Sequence, residues 1–233
     1  MGKLLIESST LADGNMSFRF GDTQSVVQNR SNFLNKHGIG WEEHVCMRCN
    51  HSKEIIAVNR DTQADKNQMT DAEVLVTQEK GRTLMLLTAD CLPVVFHDYA
   101  TQTLALAHYS RETIAAHLPE KTVSFLSENF SVQPADLEIH IGPHIGPASY
   151  KFPLPLAHAK PAIKPFIREV NDHAEIDLVA ACNHQLITQG IIKENISVSS
   201  VDTYTSVDYF SHLRSKNKNL PDGRFATITS MSI

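Results

Sequence analysis

Long hydrophobic runs are missing from this chain of 233 residues. None approaches the roughly 20 apolar residues that a bilayer-spanning helix needs, so the expectation is no membrane contact. The amino-terminal MGKLLIESST is too polar for a signal-peptide core of about 7–15 apolar residues, and a cytoplasmic protein is expected. Basic charge is not in excess either. The 21 Lys and Arg stand against 26 Asp and Glu, giving a formal net charge of -5. That argues against a nucleic-acid partner bound through a broad basic face. Cysteine is sparse, with four residues at 46, 49, 91 and 182. A chain this long needs no disulfide staples, so these read as metal ligands, nucleophiles or core residues. Internal repeats, Gly/Ser linkers and long charge blocks are absent, which predicts one domain over residues 1–233.

What the chain does have is core material: 42% hydrophobic against 20% charged residues, enough to exclude wholesale disorder. Alternating or short apolar runs predict strands at Val45 to Met47, Ile55 to Val58, Val74 to Thr77, Thr83 to Thr88 and Pro93 to His97. Others follow at Thr103 to Ala107, Leu137 to Ile141, Ile196 to Val201 and Phe225 to Thr229. Helical spacing appears at Ser25 to Lys36, at Arg111 to Asn129 (interrupted by Pro119) and at Ile176 to Gln189, with Gly190 as a stop. Arg60 to Glu73 reads as a polar surface loop, and the proline-rich Pro153 to Pro165 as an irregular connection. Strands outnumber helices and do not alternate with them, which favours an α+β fold with a mixed sheet.

Three segments carry chemistry. In LMLLTADCLPVVFHD, Leu84 to Asp98, two apolar strands flank a tight bend that holds Asp90 and Cys91. A lone cysteine usually reads as a small buried hydrophobe, but Asp90 and Pro93 are poor core filler. In LALAHYSRE, an apolar strand ends at His108 just before a helix start near Arg111, which points the imidazole toward a cleft. In CMRCNHS, Cys46 and Cys49 form a CxxC that His51 follows; a structural zinc would need a second pair of ligands. Spacing does not bring His51, Cys91 and His108 together. If they met, two imidazoles and a thiolate would make a three-ligand zinc site with an open position, where bound water has its pKa lowered to about 7. The same set suits copper. Without metal, Cys91 and His108 would form a thiolate–imidazolium pair for a hydrolase.

From about Asn15 to Ile228 the chain resembles the laccase-domain family, also known as YfiH-like, peptidoglycan-editing or multicopper polyphenol oxidase proteins. NMSFRFGDTQSVVQNR, DAEVLVT followed by LTADCLPVVFHD, IGPHIGPASYKF, DLVAACNHQLITQGI, VDTYTSVDYFSHLRS and DGRFATI match its segments in order. AHYSRET stands where the family has AHAGWRGT, and CNHS where it has a QVHG-like motif, so Cys49 takes the place of a glutamine. Lys151 and Asp202 replace a Glu and a Cys of the family pattern.

The resemblance implies a layered α+β sandwich with mixed sheets and outer helices, and a metal held by His51, Cys91 and His108. It implies phosphorolysis of adenosine or inosine, and adenosine deamination. The expected cofactor is zinc, with copper as the alternative, and the expected partners are a purine nucleoside and phosphate. Asp90 is then a candidate general acid or base, with a backbone-bonded turn aspartate as the competing reading. Arg30, Arg111 and Arg214 are candidate phosphate ligands, and His144 is a candidate cleft residue. The other readings are a copper phenol oxidase, a Cys–His hydrolase acting on a cell-wall precursor, and an inactive binding homologue. No two histidines are spaced as HxH, which disfavours the oxidase.

Overall fold

The computed structural model describes residues 4–62, 64–65, 67–154 and 160–232. Its strands are β1 (Leu4–Ser8), β2 (His44–Arg48), β3 (Ile55–Ala57), β4 (Met69–Asp71), β5 (Val74–Thr77), β6 (Thr83–Thr88) and β7 (Leu92–Asp98). They continue with β8 (Thr103–Tyr109), β9 (Glu138–Ile141), β10 (Lys151–Pro153), β11 (Ile167–Val170), β12 (His173–Ile176), β13 (Ile196–Val198) and β14 (Phe225–Met231). The α-helices are α1 (Thr23–Lys36), α2 (Arg111–Ala115), α3 (Leu118–Phe130), α4 (Leu178–Thr188) and α5 (His212–Lys218).

Two large mixed sheets dominate. One has the order β1-β14-β6-β2-β4 and the other β13-β9-β7-β8-β5-β3, beside a small sheet β10-β12-β11. Side chains on a strand alternate between faces, and that alternation sorts the core into layers. On β6, Leu84 and Leu86 join Leu75, Val95, Leu104 and Leu106 in one cluster. Met85, the residue between them, packs instead with Phe33 and Leu34 of α1 and with Ala226 and Ile228 of β14. On β8, Ala105, Ala107 and Tyr109 point the other way, against Leu118, Val123 and Leu126 of α3 and Leu178, Ala181 and Leu186 of α4. The order is therefore helix, sheet, sheet, helix, the mixed α+β architecture expected. No helix among the described residues is long and apolar enough to cross a membrane.

Some local expectations change. The Arg60 to Glu73 segment is not all loop: Met69–Asp71 pairs in parallel with β2. The Arg111 to Asn129 helix is two helices, because His117 adopts left-handed backbone (φ 59°) between them. Pro119 starts the second one, where its missing N–H costs nothing. The Ile176 to Gln189 helix begins at Leu178, capped by Asp177 accepting from the Ala180 amide at 2.8 Å. Of the proline-rich connection, residues 155–159 lie outside the described residues.

Candidate metal centre and cleft

Strand ends from both large sheets meet at one edge. Because β2 and β6 run parallel, they finish side by side; Cys49 follows the first and Cys91 lies just beyond the second. His108 sits near the end of β8, paired with Pro93 of β7. A cleft of about 690 Å³ opens there, lined by Cys49, His51, Cys91 and His108 together. That volume falls within the usual range for small-molecule sites, roughly 300–1,000 Å³.

Glu73 organises the centre. It precedes β5 and stands across from His108, whose amide donates to the Glu73 carbonyl at 2.8 Å. Its buried carboxylate then takes three contacts. Oε1 accepts the amides of Asn50 at 2.8 Å and His51 at 2.6 Å, and Oε2 lies 2.7 Å from Nδ1 of His108. The two amides fold the CNHS turn, in which His51 takes a left-handed conformation with φ 59°. The His51 ring lies 5.9 Å from that of His108, centroid to centroid, and its Nδ1 is 3.2 Å from Ser110 Oγ.

With Nδ1 committed to Glu73, the His108 ring has Nε2 left to face the cleft that the thiols of Cys49 and Cys91 also line. Burial alone would hold this imidazole below its ordinary value; the neighbouring thiols carry it well above. Burial also pushes the Cys49 thiol up, and His108 beside it offsets only part of that rise. Among the described residues, the group whose donor atoms all lie within 4.8 Å of one another is Cys49, Glu73 and His108. The expected trio of His51, Cys91 and His108 lines one cleft, but its donor atoms are not drawn into one tight group: among the described residues His108 converges instead with Cys49 and Glu73, neither of which was expected as a ligand. Two imidazoles and two thiols on one cleft, with the far nitrogen of one imidazole fixed by a buried carboxylate, are donor chemistry that suits zinc or copper. Cys46 does not take part: three positions before Cys49, it is buried under α1 with Met85, so the CxxC is not a chelating pair.

The cleft is basic. Arg19, Arg30, Arg48, Arg111 and Arg224 line it, against Glu112 as the one lining carboxylate among the described residues. Arg48 is paired with Asp65 and Asp71, and Arg224 with Asp222. Arg111 stands over the Phe152 ring at 4.9 Å and reaches Glu112 at 3.3 Å. Arg30 is fully buried on α1; its Nε donates to the Met16 carbonyl at 2.8 Å and its guanidinium stacks on Phe18 at 4.4 Å. Its Nη1 has no hydrogen-bond partner among the described residues. Phe18, Phe20 and Tyr150 add aromatic surface to the same wall.

Three expected site residues are placed elsewhere. Asp90, at φ 87°, accepts from Thr203 Oγ1 at 2.8 Å and from the Leu213 amide at 2.7 Å. Both carboxylate oxygens are engaged, and Asp90 is not among the cleft residues. His144 is buried, donates from Nδ1 to the Gly142 carbonyl at 2.8 Å, and is held below its ordinary pKa by burial. Arg214 donates to the carbonyls of Thr203, Tyr204, Ser206 and Tyr209, closing the loop before α5 rather than facing the cleft. Lys151 approaches Glu175 at 4.0 Å, and Asp202 holds Ser149 and the Tyr204 amide; neither lines the cleft.

A paired-sheet α+β sandwich with a thiol–imidazole cluster at its strand ends defines a class. The chain belongs to the multi-copper polyphenol oxidoreductase laccase family, whose profile matches residues 6–232. A protein of Corynebacterium glutamicum named a purine nucleoside phosphorylase is 25% identical over 212 residues, covering 90% of this chain and 85% of its own. One from Geobacillus stearothermophilus, named purine nucleoside phosphorylase YlmD, is 27% identical over 217 residues, 87% of this chain and 78% of its own. The crystal structure of the Bacillus licheniformis hypothetical protein YfiH superposes with a TM-score of 0.86 at 21% identity, covering 98% of this chain and 93% of that one.

Proposed function

We propose that this chain is a metal-dependent purine nucleoside phosphorylase, with zinc held by His51, Cys91 and His108. The observation that carries the reading is the meeting, in one cleft, of that thiol–imidazole cluster with a basic, aromatic wall whose buried Arg30 keeps an Nη1 without a hydrogen-bond partner among the described residues. The names of the relatives point the same way.

In phosphorolysis an oxygen of inorganic phosphate bonds to ribose C1′ and the bond from C1′ to the purine nitrogen breaks. The purine leaves with the electron pair and takes up a proton. The chain's residues supply positions and charge. Arg30 and Arg111 bind and orient the phosphate, since guanidinium donors match its oxygens. Phe18, Phe20 and Tyr150 offer faces against which the purine stacks. Glu73 holds the His108 ring in one orientation and leaves Nε2 facing the donor cluster. A zinc ion held by His51, Cys91 and His108 alone would supply Lewis acidity through its open position. Adenosine deamination, in which water replaces phosphate as nucleophile, is the second activity to assay.

The test is a panel of inosine, adenosine and guanosine with and without phosphate, following free base, ribose 1-phosphate and ammonia, alongside elemental analysis of wild type and His51→Ala. Phosphate-dependent base release, with about one zinc per chain that the variant loses, is expected. Stoichiometric copper with phenol turnover, or no metal and no nucleoside turnover, would overturn the reading.

A further inference from the structure

We propose that Cys49 is a fourth protein donor, which turns the three-ligand site into a closed centre of two cysteines and two histidines. The proposal deepens the metal reading above and rests on it. In this chain CNHS stands where the family resemblance places a QVHG-like motif, so a thiol takes the position of a glutamine.

The fold aims this sulfur. Cys46 is buried in the core below α1, β2 ends at Arg48, and Cys49 turns off the sheet edge to line the cleft. There its Sγ lies within 4.8 Å of both a His108 ring nitrogen and a Glu73 oxygen. Of that group, the carboxylate is already engaged: Oε1 takes two amide protons and Oε2 takes Nδ1 of His108. Glu73 is therefore a positioning residue, and the ligating atoms left are the sulfur and His108 Nε2. Cys91 brings a second sulfur, and His51 a second imidazole, to the same cleft.

Each thiol gives up its proton to solvent on ligation. Two thiolates and two imidazoles fill the tetrahedral shell zinc prefers, whereas three protein ligands leave a position for solvent. A filled shell removes water as the nucleophile presented by the centre, and it removes the Lewis acidity of an open position as well, leaving the metal to hold the cleft residues in place. Phosphate, held by the arginine wall, is then the nucleophile that remains, so phosphorolysis outweighs deamination in the wild type. The balance shifts toward deamination when Cys49 becomes glutamine.

Sulfur counting tests the proposal without any turnover. The zinc-loaded full chain is examined by X-ray absorption at the zinc edge. The cobalt(II)-substituted wild type, Cys49→Gln, Cys49→Ser and Cys91→Ser are compared by thiolate-to-cobalt charge-transfer absorbance, with circular dichroism as the folding control. The expected result is two sulfurs at about 2.3 Å from zinc and a charge-transfer intensity per cobalt that falls to about half in each cysteine variant. One sulfur, with the band lost in Cys91→Ser and unchanged in both Cys49 variants, overturns the proposal and leaves the three-ligand reading standing. No metal uptake, or a band insensitive to Cys91→Ser, overturns both. Should the Cys49 variants fail to fold, the wild-type sulfur count decides alone.

Discussion

Oε2 of Glu73 lies 2.7 Å from Nδ1 of His108, and the other oxygen of the same carboxylate holds the backbone of His51. One buried acid thus orients one imidazole directly and the other through its turn. Carboxylates in this position fix the tautomer of a ligating histidine, and their loss typically lowers metal affinity about 10–100-fold. Glu73→Gln keeps the shape but donates where Nδ1–H needs an acceptor. It is expected to weaken zinc binding by about that factor in a chelator competition, with a near-native circular dichroism spectrum. Unchanged affinity would mean that strand pairing alone orients His108.

How this centre relates to the sequence is instructive at two positions. Cys91 and His108 were legible because each sits at the end of an apolar strand beside residues that make poor core. Glu73 was not. It looks like the last polar residue of a surface loop, and its value comes from register: it faces His108 across an antiparallel pair, which only the strand alignment reveals. Cys49 was visible as half of a CxxC, but the motif suggested pairing with Cys46. Odd spacing on a strand end sends the two to different sides. The α+β class was readable from strands that outnumber helices without alternating with them, the layering came only with the family resemblance, and β4 was hidden because only three residues of a polar segment pair. Arg214 and His144 were chosen by residue type and motif, and hydrogen-bond partners far in sequence or on the backbone decided their place.

His44 gives a pH prediction away from the centre. It is buried on β2 with Nδ1 2.6 Å from the Trp41 carbonyl and, among the described residues, with no hydrogen-bond partner for Nε2. Burial pulls its pKa from the ordinary 6.5 down to about 4, and the charges of Arg30 and Arg82 add to the effect. Between those two values the unfolded chain binds a proton that the native protein does not. Stability from this residue is therefore complete above pH 6.5 and is lost as pH falls toward 4. The loss is on the order of 3 kcal/mol across that window. Thermal melts at stepped pH should show a slope that flattens in His44→Gln; an equal slope in the variant would assign the acid sensitivity to other groups.

The arginine wall separates binding from folding. Arg111 is part-exposed, and its contacts are to Glu112 and the Phe152 face. Arg111→Gln is expected to raise KM for phosphate about tenfold, the worth of one charge-assisted hydrogen bond, with Tm nearly unchanged. Arg30 carries α1 as well, through the Met16 carbonyl and Phe18. Arg30→Gln is expected to raise the same KM and also to cost about 1–2 kcal/mol of stability. Initial-rate kinetics at varied phosphate, set beside denaturant melts, distinguish the two effects. A change in nucleoside KM with phosphate KM unmoved would assign these residues to the sugar or base instead.

Asp90 poses the sharpest choice between chemistry and architecture. A general acid or base next to Cys91 predicts that Asp90→Asn removes kcat while leaving the fold intact. The geometry argues otherwise. The carboxylate joins three separate stretches of chain, bonding Thr203 Oγ1 and the Leu213 amide while its own carbonyl accepts from the Ile145 amide at 3.0 Å. It does so from a positive φ of 87°, a conformation that a non-glycine residue holds only when its surroundings enforce it. Asp90→Ala deletes both side-chain bonds and keeps the strain, so a loss of about 2–4 kcal/mol is expected in urea unfolding. Asp90→Gly deletes the same bonds but relieves the backbone, so it should lose less, by about 1 kcal/mol. A catalytic role predicts instead that activity is abolished in both variants, and in Asp90→Asn, out of proportion to the stability each one loses. Measured together, the order of Tm values and the activity left at equal folded fraction decide whether the bend aims Cys91 or takes part in the reaction.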